Sequence, residues 1–168
     1  MSPAATSAGT ALRSIQQLGL NIPIGLAPSN MNYNAMHQYA GILPRELNFP
    51  GTTDAVNEAS SRESRAALDR YVGMFKAAGL DRDMQTGTVW DPAAILVDAL
   101  QHLGTNATAQ QVRDYILSLS RYGGISGSYN FTDGRQRGLS IDTLAVMRWD
   151  AAKNGWEPAS NIGGALPK

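Results

Sequence analysis

The stretch that decides the fold is GTALRSIQQLGLNIPIGLA, residues 9–27. Its first half places three apolar side chains on one side of a helix: Leu12, Ile15 and Leu18. Gly19 follows, at the position where helices commonly end on a left-handed residue. Residues 22–27 then predict a short buried strand, with Pro23 at its start because proline cannot donate a ladder hydrogen bond. The stretch therefore predicts a helix, a turn at Gly19 and a strand.

The segment that follows repeats this order. Apolar residues recur at helical spacing from Met36 to Leu43, and Pro44 ends that helix. Residues 46–49 predict another short strand before Pro50. Helices that alternate with strands are typical of an α/β fold with a parallel sheet, and we predict that fold class.

The middle of the chain is predicted to be helical after an irregular segment. Residues 50–60 are polar and have no regular spacing, as in a linker. Ser60 and Glu63 fit a capping box that begins a helix, and Gly79 ends that helix. Another helix is predicted to begin after Thr108. These two helices flank a third that is more apolar than either.

The most apolar helix is predicted to end at Leu103. Asp91 and Pro92 suit an N-cap and a first helical residue, so the helix can begin there. If Val89 and Trp90 are already helical, Pro92 lies in an early turn instead. Either start gives a stripe that we expect to be buried: Ala93, Leu96, Val97, Leu100 and Leu103.

The composition argues against several classes of function. Fourteen basic residues balance fourteen acidic ones, so no net field attracts nucleic acid or an anionic membrane. Without cysteine the chain can form no disulfide, thiolate metal site or cysteine nucleophile. No apolar run reaches the roughly 18 residues that a membrane-spanning helix needs. The first residues show neither the charged nor the apolar segment of a signal peptide, so none is predicted.

Motifs for catalysis or metal binding are not found in the sequence. His37 and His102 stand alone, without a second ligand at metal-binding spacing. Residues 124–128, GISGS, lack the last glycine of a nucleophile elbow, and the nearby glycines match no phosphate-binding loop. We therefore predict no catalytic residue, no metal and no cofactor, and a binding protein rather than an enzyme.

The order of four segments resembles one protein family. The segments are ALRSIQQLGLNIPIG at 11–25, WDPAAILVDALQHLG at 90–104, TAQQVRDYILSL at 108–119, and GGISGSYNFTDG at 123–134 followed by TLAVMRWD at 143–150. They are similar to passages of type I periplasmic solute-binding proteins of the branched-chain amino-acid ABC importers. The resemblance extends over residues 8–160 and corresponds to the C-terminal half of those proteins.

The resemblance implies a periplasmic-binding-protein-like clamshell, here an incomplete C-terminal portion that contributes parts of both lobes. The implied divisions are 8–50 in the second lobe, 51–60 as a hinge crossing, 61–143 in the first lobe, 144–160 as a return strand and hairpin, and 161–168 as a loose tail. The contacts that the rest of the first lobe makes with a ligand in the family lie outside this portion.

The function that the resemblance implies is solute capture for an ABC importer. The implied partners are a small solute, such as an amino acid or an organic or aromatic acid, and a membrane permease, and the implied location is the periplasm. Two alternatives remain open. One is a ligand-sensing domain of a regulator with the same fold. The other is a self-standing α/β protein that pairs with a second copy.

The predicted ligand site lies where the first strand ends and the next helix begins. Ligands gather there in open α/β sheets because free backbone N–H groups face the carboxyl ends of strands. The predicted ligand-binding residues are Ala27, Ser29, Asn30, Met31 and Trp90. Relatives that bind α-amino acids often carry an acid near this loop, whereas Ser29 and Asn30 better suit a neutral or carboxylate group.

Each of these assignments has a structural alternative. Ser29 and Asn30 can instead cap the helix that follows, and Trp90 can instead belong to the core. Arg135 and Arg137 can meet a ligand carboxylate or the permease, or can simply form the solvated rim of a hairpin.

Overall fold

The structure contains both helices and strands, which alternate over residues 3–51, and this confirms the α/β class. The computed structural model describes residues 3–59, 61–134 and 137–166. The helices are α1 (Pro3–Gln17), α2 (Tyr33–Tyr39), α3 (Arg62–Ala78), α4 (Met84–Leu103) and α5 (Ala109–Ser118). The strands are β1 (Ile24–Gly25), β2 (Leu47–Gly51), β3 (Ser120–Gly123), β4 (Ser128–Asn130), β5 (Ala145–Asp150) and β6 (Gly155–Pro158). Short 3₁₀ turns lie at Pro28–Asn30, Ala40–Ile42 and Ile141–Thr143.

The main sheet has the strand order β1-β2-β5-β6. β1 and β2 are parallel, with Ile24 opposite Leu47, as the alternation of helices and strands predicts. β5 and β6 are antiparallel to their neighbours, and Met147 of β5 lies opposite Phe49 of β2. β3 and β4 form a separate antiparallel pair. The sheet is therefore mixed rather than wholly parallel.

The buried strand predicted at residues 22–27 is wrong in extent and in burial. β1 comprises Ile24 and Gly25 alone, and it lies at the edge of the sheet among the described residues. Gly25 is exposed, and Ile22 is 50% exposed. An edge strand has one neighbour instead of two, so its apolar residues need not be buried.

The larger core lies on one face of the main sheet. Alternate residues of β2 and β5 point into it, because successive side chains of a strand face opposite sides. These residues are Leu47, Phe49, Ala145, Met147 and Trp149. α1 contributes Leu12, which is 1% exposed, and α2 contributes Met36 and Tyr39. Leu18, which the sequence predicts on the same side of the helix as Leu12, follows the last residue of α1 and is 73% exposed. Gly19 has the predicted left-handed φ of 63°.

The smaller core joins α3, α4 and the segment between β3 and β4. Its fully buried members are Leu68, Tyr71 and Ile125. α3 ends at Gly79 with a left-handed φ of 65°, as predicted. Its cap is Ser61, whose hydroxyl accepts a hydrogen bond from the Ser64 N–H at 3.1 Å, and not the predicted Ser60, which lies outside the described residues.

α4 begins earlier than the Asp91–Pro92 start. Asp83 and Thr86 form a reciprocal capping box, so Pro92 lies inside the helix, in agreement with the alternative that Val89 and Trp90 are helical. The stripe predicted to be buried is wrong as well. The buried residues of α4 are Gly87, Asp91, Ile95 and Ala99, which follow one another at intervals of four residues.

Asp91 ties α4 to the connection between β3 and β4. Its carboxylate accepts hydrogen bonds from the Ile125 N–H at 2.8 Å, the Ser126 N–H at 2.9 Å and the Tyr129 hydroxyl at 2.9 Å. Asp91 is 1% exposed, and a buried carboxylate is tolerated only when donors replace its lost water. Burial, and then the charge of Asp91, raise the pKa of Tyr129, which keeps its hydroxyl a donor.

The end of the described chain is hydrogen-bonded to β5. The Gly163 N–H donates to the Leu144 carbonyl at 2.8 Å, in the tail that the resemblance implies to be loose. Among the described residues, no helix has both the length and the apolar character required to cross a membrane.

Candidate functional site

A cavity of about 170 Å³ lies between the start of α2, the segment that follows β2 and the start of α4. We name it the α2–α4 cavity. Its lining residues are Met31, Tyr33, Asp54, Ala55, Arg82, Asp83, Met84 and Trp156. Met31 follows β1 and Asp54 follows β2, so the cavity lies at the carboxyl ends of the two parallel strands. That is where open α/β sheets bind ligands.

The walls of the α2–α4 cavity are fixed by local hydrogen bonds. Asn32 caps α2, since its side chain accepts from the Ala35 N–H at 2.8 Å. Asp83 caps α4, since its carboxylate accepts from the Thr86 N–H at 3.1 Å. Both caps satisfy helix N–H groups that would otherwise lack acceptors. The cavity is therefore bordered by two helix starts with defined geometry.

Residues 52–54 follow β2 and are all buried, and Asp54 among them lines the α2–α4 cavity. The Thr53 hydroxyl donates to the Ile125 carbonyl at 2.7 Å, which joins this segment to the smaller core. The Thr52 hydroxyl donates to Asp54 Oδ1 at 2.5 Å. A Cβ on Gly87 would lie 2.6 Å from Asp54 Oδ2, so α4 approaches this carboxyl closely because residue 87 is glycine.

The charges around the α2–α4 cavity are of both signs. Burial raises the pKa of Asp54, while the Thr52 hydrogen bond opposes that rise. Burial, followed by the charges of Asp81 and Asp83, raises the pKa of Tyr33, so its hydroxyl stays protonated near neutral pH. Arg82 brings a guanidinium to the rim. A carboxyl, a phenol and a guanidinium can together hold a small molecule that carries both donors and acceptors.

The raised pKa of Asp54 predicts a pH dependence of stability. The folded chain keeps a proton on this carboxyl at pH values where the unfolded chain has lost it. Its contribution to stability is therefore full below the ordinary pKa of 3.8 and is lost as the pH rises through the raised pKa. We expect the unfolding free energy of the native chain, minus that of Asp54→Asn, to fall as the pH rises above 3.8. Urea unfolding at several pH values measures this difference, and a flat or rising difference would contradict the assignment.

Two buried polar atoms near this end of the sheet lack partners among the described residues: Asn30 Oδ1 and Trp156 Nε1. Trp156 lines the α2–α4 cavity, and Asn30 immediately precedes Met31 in the chain. A buried polar atom without a partner costs about 1–3 kcal/mol. An acceptor for the Trp156 N–H and a donor for the Asn30 oxygen would remove that cost.

The predicted ligand-binding residues of the loop after β1 differ in burial. Met31 is 2% exposed and lines the α2–α4 cavity, and Asn30 is 6% exposed. Ala27 and Ser29 are exposed. The Ser29 carbonyl accepts from the Asn32 side chain at 3.3 Å. The capping role considered for Ser29 and Asn30 belongs to Asn32 instead.

Trp90 lies apart from the loop residues. Its ring centroid is 4.9 Å from that of Tyr71, and it packs against the smaller core, which agrees with the core alternative. It also lines a second cavity of about 240 Å³ between α3, α4 and β3. Trp90 lies inside α4, which begins at Met84. Its role in ligand stacking stays a prediction.

The predicted arginine pair is described only in part. Arg137 is exposed, which suits a solvated rim, and Arg135 lies outside the described residues. Among the residues that the structure describes, no three His, Cys, Asp or Glu side chains are grouped so as to hold a metal ion.

A larger hollow of about 800 Å³ lies at the opposite end of the main sheet. It is lined by residues that precede β1 and β2, including Pro23 and Glu46. Two of its charged groups, Arg148 and Glu157, are paired with each other at 3.8 Å. The α2–α4 cavity is smaller but lies at the carboxyl ends of the strands and includes an unpaired donor. We therefore regard it as the better candidate.

The sequence predicts Met31 as a residue of this site but does not predict the polar residues of the α2–α4 cavity. Asp54, Arg82 and Trp156 come from three segments far apart in the chain, and no short motif joins them. One signal was readable. Asp83 and Thr86 have the three-residue separation of a capping box, which marks the start of α4 beside the cavity.

The mixed sheet, the flanking helices and this cavity define the fold as a portion of a periplasmic-binding-protein-like α/β clamshell. No protein-family model matches the chain, and no curated protein matches it. Similarity to solved structures therefore supports the fold, at low sequence identity.

Three such structures match most of the chain. A leucine-binding protein from Thermotoga maritima matches with a TM-score of 0.71 and 16% identity, over 94% of this chain and 42% of its own. A type 1 periplasmic binding protein from Bordetella pertussis matches with a TM-score of 0.71 and 16% identity, over 92% of this chain and 43% of its own. A branched-chain amino-acid substrate-binding protein from Streptococcus pneumoniae, in complex with isoleucine, matches with a TM-score of 0.64 and 13% identity, over 91% of this chain and 40% of its own. The chain spans less than half the length of each, which agrees with the expectation of a C-terminal half.

Proposed function

We propose that this chain is part of an extracytoplasmic solute-binding protein of an ABC importer and that it contributes one wall of the solute site. The solute class is amino acids and related small organic or aromatic acids. The solved structures with this fold bear the names of leucine-binding and branched-chain amino-acid substrate-binding proteins, which supports the proposal. The permease partner, the periplasmic location and the division of the chain between two lobes belong to the same proposal.

The observation that carries the proposal is the α2–α4 cavity at the carboxyl ends of β1 and β2. At about 170 Å³ it is smaller than the roughly 300–1,000 Å³ of a complete ligand pocket. It therefore suits one end of a small ligand, with the remainder of the ligand facing outward. This size agrees with a wall that a second surface closes during capture.

The lining groups suggest how a solute would be held. A carboxylate would meet the Arg82 guanidinium and the unpaired Trp156 N–H. An ammonium group would meet Asp54, whose carboxyl compensates for the missing acid in the loop that follows β1. Burial raises the pKa of Asp54, whereas an ammonium group beside it would favour the charged form of the carboxyl.

We expect Arg82→Gln to weaken solute binding about tenfold or more, because a hydrogen bond to a charged group contributes about 1.5–3 kcal/mol. Thermal-shift measurements with leucine, isoleucine, valine, phenylalanine and benzoate would first identify a ligand that raises Tm. Isothermal titration calorimetry with that ligand would then compare the variants. Arg65→Gln is the matched control, since Arg65 lies on the exposed side of α3 and pairs with Asp69 at 3.7 Å.

The outcomes separate the proposal from its rivals. Loss of affinity in Arg82→Gln with normal affinity in Arg65→Gln supports the α2–α4 cavity as the site. Equal affinity in both variants would place the solute elsewhere. No shift with any compound of the panel would count against solute binding by this chain.

A further inference from the structure

Asn154 and Gly155 form an Asn-Gly pair at the end of the turn that joins β5 to β6. This pair occurs once in the sequence. Asn154 is exposed and has a left-handed φ of 49°, a conformation that asparagine tolerates better than most residues. The side-chain amide carbon of an asparagine lies close to the backbone nitrogen of the next residue, so attack by that nitrogen is intramolecular and closes a succinimide ring. The pair thus joins an electrophile and a nucleophile.

The fold does not require glycine at position 155. The φ of Gly155 is not in the left-handed region. A Cβ at this position would lie 3.7 Å from the Lys153 carbonyl oxygen, which is an ordinary contact distance. A side chain here would nevertheless hinder the approach of the backbone nitrogen to Cγ of Asn154. Glycine therefore leaves the nucleophile open at a position where the backbone would accept another residue.

His37 of α2 is hydrogen-bonded to the amide group that would react. Its Nε2 lies 2.7 Å from Oδ1 of Asn154. Because a carbonyl oxygen accepts and does not donate, the imidazole carries its proton on Nε2. The bond withdraws electron density from Cγ and would stabilise the negative charge that develops on Oδ1 during attack, as an oxyanion-hole donor does. α2 therefore brings an activating donor to the β5–β6 turn.

The position of His37 relative to Asn154 is set by contacts within this chain. α2 and β5 pack in the same core, through Met36 and Trp149. The Oδ1 atom of Asp150 holds the first part of the turn, since it accepts hydrogen bonds from the next backbone N–H groups at 2.9 and 3.2 Å. The imidazole and the amide are thus brought together by described elements alone.

We propose that Asn154 is a site of spontaneous deamidation that His37 promotes. The Gly155 nitrogen forms a bond with Cγ of Asn154 and loses its proton, while the bond between Cγ and Nδ2 breaks and ammonia leaves. Water then opens the succinimide. Attack of water on Cγ gives aspartate, whereas attack on the backbone carbonyl carbon gives isoaspartate, in which the main chain passes through the side-chain carbon. Water is the only co-reactant.

The isoaspartate product would alter the strand that contains Trp156. Gly155 lies opposite Asp150, and Trp156 lies opposite Trp149. Isoaspartate lengthens the main chain by one carbon just before the Gly155 pair, so β6 would be displaced relative to β5. Because Trp156 lines the α2–α4 cavity, the modification would change the candidate site as well.

The first experiment follows the native chain during incubation at neutral pH. Peptide mass spectrometry detects the exchange of an amide nitrogen for oxygen, and an isoaspartyl methyltransferase labels the isoaspartate product. We expect both signals at residue 154. Asn57 is the internal control, since it is exposed and has a left-handed φ of 55° but precedes Glu58 instead of glycine. Conversion at residue 154 that is no faster than at residue 57 would overturn the proposal.

The second experiment compares variants whose far-ultraviolet circular dichroism matches that of the native chain. Gly155→Ala should slow the conversion about tenfold or more, because the nucleophile is hindered. His37→Leu should slow it about fivefold, the effect of one lost hydrogen bond. His102→Leu is the matched control, since His102 bonds the Asp98 carbonyl at 2.9 Å instead. An unchanged rate in Gly155→Ala would exclude attack by the backbone nitrogen, and a rate in His37→Leu that equals or exceeds the native rate would exclude promotion by His37.

Discussion

Asp91→Asn is expected to lower the free energy of unfolding by about 3–5 kcal/mol. The carboxylate accepts from two backbone N–H groups and from the Tyr129 hydroxyl, all within 2.9 Å. An asparagine side chain has one acceptor oxygen, and its NH₂ group would face at least one of these donors. Donors left buried without an acceptor retain their full desolvation cost, which is why the expected loss exceeds that of an ordinary surface hydrogen bond.

Urea unfolding of Asp91→Asn measures this loss directly. Tyr129→Phe removes one of the three donors and should lower the free energy of unfolding by no more than about 3 kcal/mol. Asp69→Asn makes the same chemical change on the exposed side of α3 and should stay within about 0.5 kcal/mol of the native chain. If Asp91→Asn were no less stable than Asp69→Asn, Asp91 would not hold α4 to the β3–β4 connection.

Tyr71→Ala is expected to destabilise the chain by about 3–5 kcal/mol, the usual cost of deleting a buried aromatic side chain. Tyr71 is 0% exposed and lies at the centre of the smaller core. Its ring centroid is 4.8 Å from that of Phe75 and 4.9 Å from that of Trp90. Its hydroxyl is 2.9 Å from the Thr86 hydroxyl, inside the capping box of α4.

Tyr71→Phe separates packing from hydrogen bonding at this position. It keeps the ring contacts and removes the bond to Thr86, so we expect a loss of about 1 kcal/mol. Chemical denaturation of both variants gives the two values. Nearly equal losses would mean that the hydroxyl, rather than the ring, carries the contribution of Tyr71.

Local signals predicted the glycines that follow α1 and α3 and the start of α5, whereas the predicted starts of α2, α3 and α4 differ from the observed ones. Gly19 and Gly79 both adopt the left-handed backbone that their sequence positions suggest, because a C-terminal glycine acts through its own conformation. α5 likewise begins after Thr108, as predicted, and Gln111 completes its capping box. These features depend on a few adjacent residues, so the sequence contains all that determines them.

The buried face of α4 could not be predicted in the same way. The helix has two apolar faces, and spacing alone favours the one with the larger residues, Leu96 and Leu103 among them. The structure instead buries the face of Gly87 and Asp91, since only there can Asp54 approach closely and the β3–β4 connection reach a carboxylate. The choice between the two faces is made by distant contacts.

The sequence predicts where the candidate site lies in the fold but not which side chains line it. The end of β1 and Met31 follow from the helix–strand order, which fixes where a parallel sheet presents its carboxyl ends. Arg82 and Trp156 reach the α2–α4 cavity through the path of the chain, and nothing in their neighbouring residues indicates that destination.

The hydrogen bond from Thr53 to the Ile125 carbonyl also couples the positions of the two cores. Thr53 is 0% exposed and follows β2 by two residues, so the bond links the main sheet to the smaller core. The close approach of α4 to Asp54 at Gly87 is a second contact between the same two parts. A displacement of α3 and α4 relative to the main sheet would therefore have to break this bond or carry Thr53 with it.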